Sequence, residues 1–287
     1  MNDDLRQLRE ATVIAAQFFR GELLRDTSGW PVEYLKEASV EQVLSADSDW
    51  KVGYAPDTRT SLVDHLAAEN FSYSTMERAG LVNRTGEADV VDRFRDQLVL
   101  MARDTQLRPA GFVAIGSDGT IDIPGQAGVL HQPSNVLIGI EEQLDLLRGG
   151  ATPVVVDHPI DAIAVSNISR QLDGRWAGIP VCGDAMSTAQ VRMLRKFTLG
   201  DTALIIASGD EHRRKLTSSY LIDLARYYPK VRALSLPEAP SLIAAGEDGP
   251  EYLATVMSTT RPVMTYRIGA TADVVHDPQP PDLGQDL

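Results

Sequence analysis

The stretch Pro153-Val154-Val155-Val156-Asp157-His158-Pro159-Ile160-Asp161 limits the folds open to this chain more than any other. A short β-branched run closed by a polar residue and a proline reads as a buried strand feeding a helix. Pro159 suits the first helical turn, where its missing N–H has no intrahelical partner to serve. Asp157 then stands at the carboxyl end of the strand, and Asp161 one helical turn further on. In open α/β sheets, ligands bind in the crevice outside that edge.

The same texture repeats downstream. Strand 153–156 is followed by helix 159–167, strand 179–182 by helix 187–197, and strand 202–207 by helix 212–227, with a last strand at 231–235. Short buried strands alternating with helices predict a mostly parallel sheet with right-handed crossovers. The region ahead is mixed. Leu5, Leu8, Val13, Ala16, Phe19 and Leu23 recur at helical spacing from Asp3 to Leu24. Short helices are expected at 32–35, 40–44, 60–68 and 72–79, with a strand-like piece from Trp50 to Pro56. An apolar run covers Leu98 to Met101, a hairpin 111–115 and 120–123, and a helix 136–147. A closing helical piece is expected over 241–257. The reading divides the chain into 1–150, 151–236, 237–268 and a tail, 269–287.

Composition narrows the function classes. No run approaches the roughly eighteen apolar residues of a membrane span, and the N-terminus lacks a signal peptide's layout, so a cytoplasmic setting is expected. The single cysteine, Cys182, excludes an internal disulfide and a cysteine-built zinc ribbon, and reads as a buried strand thiol. A net charge of −13 argues against a general basic coat for duplex DNA. The acidity is uneven. Residues 269–287 carry Asp273, Asp277, Asp282 and Asp286 with no Lys or Arg, a composition expected to be disordered. By contrast Arg192, Arg195, Lys196, Arg213, Arg214 and Lys215 crowd the proposed sheet edge, which leaves room for a local basic funnel.

Several segments resemble, in order, motifs of the catalytic core of bacterial DnaG-type primases. They are Gly53-Tyr54-Ala55-Pro56, Ala79-Gly80-Leu81, Asp92-Arg93-Phe94-Arg95 and Asp157-His158-Pro159-Ile160-Asp161. Gly183-Asp184-Ala185-Met186-Ser187 and Leu236-Pro237 with Gly246 fall where that family has further turns. The ordered set spans roughly residues 11 to 268 and carries more than any one motif. Its flavour is that of primase-like proteins of phages, plasmids and conjugative elements. The resemblance implies a Toprim-type parallel sheet flanked by helices, preceded by a mixed α/β N-terminal subdomain. It also implies primer RNA synthesis on single-stranded DNA from nucleotides, with Mg²⁺ or Mn²⁺ held by Toprim carboxylates. Asp157 and Asp161 would act as metal-binding or general-base groups, Asp210 and Ser208 as metal ligands. Arg93, Arg95, Arg213, Arg214 and Lys215 would contact phosphates. A helicase or a separate zinc-domain protein is the expected partner, since this chain offers no zinc site of its own.

The pattern also departs from the family. Asp157 replaces a glutamate and is one methylene shorter. Ser208 stands for the first carboxylate of an Asp-x-Asp motif and brings no charge. Gly128 and His131 occupy places of a lysine and an asparagine, an apolar residue ends the segment 111–115 where an arginine is usual, and Gln97 replaces another arginine. Phosphoryl transfer rests on positioning and electrostatic stabilisation, so such losses compound. The expectation is a weakened or silent site; the alternative is a non-catalytic DNA-binding or scaffolding subunit. A Toprim nuclease or topoisomerase fragment leaves Gly53 to Pro56 and Asp92 to Arg95 unexplained.

Plainer readings stand beside each of these. Asp157, Asp161 and Asp210 suit helix caps. Arg93 and Arg95 have Asp92 and Asp96 alongside for local ion pairs. His158 reads more simply as satisfied or exposed than as a phosphate contact. Arg192, Arg195 and Lys196 are spaced as one solvated helix face, Trp30 and Trp50 suit packing, and Tyr227-Tyr228 sit at a helix end.

Overall fold

The structure is a computed structural model describing residues 2–85, 89–123, 129–183, 185–208 and 221–265. It opens with α1 (Asn2–Arg25), whose stripe Leu8, Ala11, Ala15, Phe19 and Leu23 is buried. Steps of three and four residues put that stripe on one face. α2 (Trp30–Glu37), β1 (Gly53–Ala55), α3 (Ser61–Ala68) and α4 (Tyr73–Arg78) follow. Gly53 lets β1 lie against α1, because a Cβ there would sit 2.6 Å from Phe19 Cβ. β2 (Val82–Arg84) and β3 (Val90–Asp92) make a two-stranded ribbon. β4 (Gln97–Arg103), β5 (Pro109–Ile115), β6 (Ile121–Asp122) and β7 (Leu137–Ile138) complete an antiparallel sheet with β1. Its order is β1-β4-β5-β6, with β7 also paired to β4.

The second sheet begins after α5 (Leu144–Arg148). β8 (Thr152–Val156), α6 (Pro159–Gln171), β9 (Trp176–Pro180), α7 (Thr188–Phe197) and β10 (Thr202–Ser208) alternate as strand and helix. α8 (Leu221–Tyr227), β11 (Lys230–Leu236), α9 (Pro240–Ala244), α10 (Gly249–Thr259) and β12 (Pro262–Thr265) complete the described chain. The sheet runs β12-β11-β10-β8-β9, parallel except for the antiparallel edge strand β12. Alternate strand residues serve opposite faces. Val154, Val156, Leu204 and Ile206 join α6 and the first sheet's Leu98, Leu100 and Val113 in one core, while Val155 and Ile205 pack with α7 and α8. The mixed α/β architecture with a parallel sheet is the one the sequence predicts.

Some elements differ. The segment 136–147 is no continuous helix. Leu137 and Ile138 pair with β4, and Gly139 turns the chain at φ +75° where a Cβ would strike the Trp50 ring. β9 lies at 176–180 rather than 179–182, so Cys182 sits past its end. The closing helical piece is two helices, α9 and α10, and β12, β2 and β3 went unpredicted. The expected start of helix 212–227 and the tail 269–287 lie outside the described residues. Among the described residues no helix is long and apolar enough to cross a membrane.

Candidate active site

The strand order creates a crevice. After β8 the chain passes through α6 to β9 on one side, then α7 carries it across to β10 on the other. The carboxyl ends of β8 and β10 are thus a topological switch point, where neighbouring crossovers diverge and leave room for a ligand. The register Leu204↔Val154 and Ile205↔Val155, continued one residue per step, sets Asp157 beside Ala207. Adjacent strands are about 4.8 Å apart. Asp157 and the chain leaving β10 at Ser208 therefore share one rim; the Ser208 backbone pairs with Leu236 on β11.

Asp157 is half-buried just past β8, and its neighbour takes the cap. His158 is the N-cap of α6: its Nδ1 accepts from the Ile160 N–H at 3.1 Å. Its Nε2 lies 3.1 Å from the carbonyl oxygen of Gly119. A carbonyl only accepts, so Nε2 carries the hydrogen, and the ring straps the β5–β6 turn to the base of the rim. Gly119 holds that turn at φ +77°, a left-handed conformation suited to glycine. Tyr34 lies close by. Burial pushes its phenol up to about 12, with the charges of Asp161 and Asp118 adding to the effect. The plain reading of His158 as a satisfied histidine describes these contacts, and the strap itself was invisible locally.

Asp161 is elsewhere. It is buried, and its Oδ1 accepts from the Ser241 N–H at 2.9 Å and the Ser241 hydroxyl at 2.6 Å. The expectation that it shares the rim with Asp157 is corrected: it caps the first turn of α9 instead. The cause is that α6 is enclosed on nearly all sides, so a residue one turn in has no route to solvent.

The arginine motif also divides. Asp92 is buried and accepts from the N–H groups of Leu62 (3.0 Å) and Val63 (2.9 Å), with the Ser61 hydroxyl at 3.3 Å, capping α3. Burial still raises its pKa against those bonds. Asp96 accepts from Trp30 Nε1 at 2.5 Å and the Tyr54 hydroxyl at 2.8 Å. Neither carboxylate pairs with the arginines between them, contrary to the simple ion-pair expectation. Arg95 instead pairs with Asp57 at 2.9 Å on the surface. Arg93 is half-buried, lies over the Phe94 ring, and has no acidic partner among the described residues. Its charge is felt at buried His131, whose pKa is lowered first by desolvation; a backbone hydrogen bond at Ala110 opposes this, and Arg93 adds to the lowering.

His131, Val113, Ile123, Pro133, Cys182 and Gln190 line a hollow between the first sheet and the carboxyl end of β9. The Val181 N–H donates to the Val156 carbonyl at 2.7 Å, which sets this hollow beside the Asp157 rim. Burial pushes the Cys182 thiol up to about 12, so it is an inert wall group rather than a nucleophile. Sequence reasoning noted His131 only as a replaced asparagine. Its place opposite Gly111, where a Cβ would lie 2.9 Å from its ring, needs the fold to be seen.

Asp210, Arg213, Arg214 and Lys215 lie outside the described residues, as does the side chain of Ser208. Among the described residues no three His, Cys, Asp or Glu side chains gather as a metal-binding group. What the rim offers is a hard carboxylate oxygen from Asp157, the donor type that suits Mg²⁺ or Mn²⁺.

Residues 18–118 match the family described as the DNA primase catalytic core, N-terminal domain. A DNA primase of Synechococcus elongatus is 27% identical over 256 residues, covering 86% of this chain and 35% of its own length. This chain thus spans about a third of that relative. The RNA polymerase domain of Mycobacterium tuberculosis primase DnaG superposes with a TM-score of 0.74 at 23% identity, covering 90% of this chain and 84% of that one. A DnaG primase catalytic domain bound to single-stranded DNA gives 0.72 at 16% identity, covering 91% and 84%. In sequence over residues 18–118 and in fold over nearly the whole chain, this protein is thus similar to DnaG-type primase catalytic cores.

Proposed function

We propose that this chain is the primer-synthesis core of a DNA replication or transfer system, joining ribonucleotides on single-stranded DNA at an attenuated site. The observation that carries the reading is the Asp157 carboxylate at the switch point between β8 and β10 in a primase-type fold. Asp157 and Asp210 would hold Mg²⁺ or Mn²⁺, with Ser208 a neutral third donor. Such ions supply charge stabilisation for the attacking and leaving oxygens of phosphoryl transfer. Asp157, half-buried at the rim, is also the group best placed to accept the proton of an attacking hydroxyl. Arg93, with no acidic partner among the described residues, would meet the template backbone, and Arg95 would do so by giving up Asp57. Arg213, Arg214 and Lys215, following Asp210 directly, would bear on nucleotide phosphates. Asp161 acts at a distance, by fixing α6 to α9.

The setting proposed is a phage, plasmid or conjugative element, with a helicase or separate zinc-domain protein as partner and no zinc in this chain. The site is read as attenuated because Asp157 is one methylene shorter than a glutamate and Ser208 brings no charge, where the chemistry favours several carboxylates. That same observation supports the second reading, a non-catalytic DNA-binding or scaffolding subunit. Incorporation of labelled ribonucleotides on single-stranded template with Mn²⁺ separates the two. An active core synthesises, and Asp210→Ala abolishes it; a scaffold makes no product with either metal yet still binds the template. Asp157→Glu with Ser208→Asp should tighten Mn²⁺ binding; two tight Mg²⁺ sites in the unaltered chain would refute the attenuation.

A further inference from the structure

A groove lined by Arg148, Lys196, Phe197, Thr198 and Leu199 lies between the ends of α5 and α7, at the edge of the second sheet away from Asp157. Among the described residues no carboxylate pairs with its cations. Arg148 is exposed and has no partner among the described residues, while Lys196 reaches only the Thr105 carbonyl at 3.2 Å and the Phe197 ring. Leu199 is 71% exposed beside them, the most exposed large apolar side chain of the described chain. Asp201, two residues past Leu199, is engaged by Arg195 at 3.4 Å. A bare leucine flanked by two cations with no carboxylate partner among the described residues, in a protein of net charge −13, suits an acidic segment with apolar residues inside it.

Where the described chain leaves the sheet points to that segment. β12 ends at Thr265, paired with Lys230 on β11, and Lys230 pairs with Thr202 on β10. The Lys230 N–H donates to the Asp201 carbonyl at 3.1 Å, and the Leu199 N–H to the Leu147 carbonyl at 3.2 Å. Two strand spacings and three residues of chain put Thr265 within about 20 Å of the groove. The eight residues to Asp273 reach about 27 Å when extended. The sequence that arrives there is Asp273-Val274-Val275-His276-Asp277, two carboxylates bracketing two valines, and no Lys or Arg follows to residue 287.

We propose that the acidic segment Asp273–Asp277 of this same chain docks in the groove, its carboxylates meeting Arg148 and Lys196 and its valines covering Leu199. The inference stands apart from the primer-synthesis reading, since the groove lies at the opposite end of the strands from the rim.

Hydrogen–deuterium exchange on the full chain tests it through the amides of residues 144–150 and 195–201. Asp273→Asn with Asp277→Asn, and separately Arg148→Glu with Lys196→Glu, should each speed exchange there about threefold or more at low salt. The difference should shrink near 0.5 M salt, where the Debye length falls toward about 4 Å. Combining the glutamate pair with Asp273→Lys and Asp277→Lys should restore the slow exchange. Equal exchange in all variants overturns the proposal. So does protection that grows with protein concentration alongside a doubled mass by light scattering, which assigns the groove to a second copy. Protection that requires added oligo-dT overturns it in favour of nucleic acid.

Discussion

Replacing Asp161 separates a carboxylate that holds the fold from one that holds a metal. Its Oδ1 takes two hydrogen bonds from Ser241, in a buried setting. Bonds to charged groups contribute about 1.5–3 kcal/mol each, and an orphaned buried N–H costs about 1–3 kcal/mol. Asp161→Ala should therefore destabilise by about 4 kcal/mol, or about 8–16 °C in Tm at the ~2–4 °C per kcal/mol of a chain this size. Asp161→Asn keeps an acceptor oxygen and should lose about half as much. Ser241→Ala removes one bond, and the Asp161→Ala, Ser241→Ala double variant should fall short of the summed losses by about 1 kcal/mol or more, as expected of partners in contact. Thermal melts give the stabilities, and Mn²⁺ titration followed by electron paramagnetic resonance gives the affinity. Asp161→Asn should leave Mn²⁺ affinity within about twofold, under 0.5 kcal/mol. An Asn variant that melts like the unaltered chain yet binds Mn²⁺ about tenfold more weakly, a 1.4 kcal/mol loss, would refute the structural assignment.

Gly178→Ala should be severe, because its Cβ would lie 2.2 Å from the Ala162 oxygen and 2.7 Å from the Ala162 Cα. Backbone cannot rotate away, so α6 must lift off β9, at a cost of about 3 kcal/mol or more read from the urea midpoint. Burial pushes the Glu142 carboxyl from its ordinary 4.5 up to about 7, with Arg103 opposing. The folded state thus favours the neutral acid: this contribution is complete below about pH 4.5 and is lost as pH rises through about 7, by up to about 3 kcal/mol. Glu142→Gln should flatten that part of the Tm–pH profile, and an unchanged slope would show the group to be solvated. His158→Asn retains a good N-cap but is too short for the Gly119 carbonyl. It should keep stability within about 1 kcal/mol while deuterium exchange over 116–120 accelerates.

Much of the second sheet was legible because its signals are local. A β-branched run and a proline at N1 each announce themselves within a few residues. The misread segment 136–147 shows where such signals fail. Val136, Leu137, Ile140, Leu144 and Leu147 fit a helical face, yet Leu137 and Ile138 are claimed by β4 more than thirty residues earlier. Buried Gln143 then accepts from the Ser166 hydroxyl and donates to the Gly178 carbonyl, tying the turn to α6 and β9. The candidate site divides in the same way. Asp157 was readable because a strand end fixes its position, whereas Asp161 was misassigned because its partner, Ser241, lies eighty residues on. Asp92 and Asp96 looked like local partners for arginine; their hydrogen bonds come from α3 and from Trp30 and Tyr54.

Burial of Asp161 changes how the rim should respond to added charge. Because α6 is enclosed, the helix after β8 offers no spare carboxylate, and rim charge must come from the strand ends alone. Lengthening Asp157 to Glu moves an existing charge by one methylene. On the proposed reading, Ser208→Asp would add a whole charge to the ligand set of a divalent ion, and at about 4 Å and an effective dielectric near 20 each unit pair is worth about 4 kcal/mol before desolvation. Desolvation takes back much of that, but the lengthened side chain has no comparable gain to set against its own ordering cost. Ser208→Asp alone should therefore recover most of the Mn²⁺ affinity of the double variant, with Asp157→Glu alone recovering little. The reverse order would mean that reach rather than charge limits this rim, and would return the weight of the site to the strand β8 end.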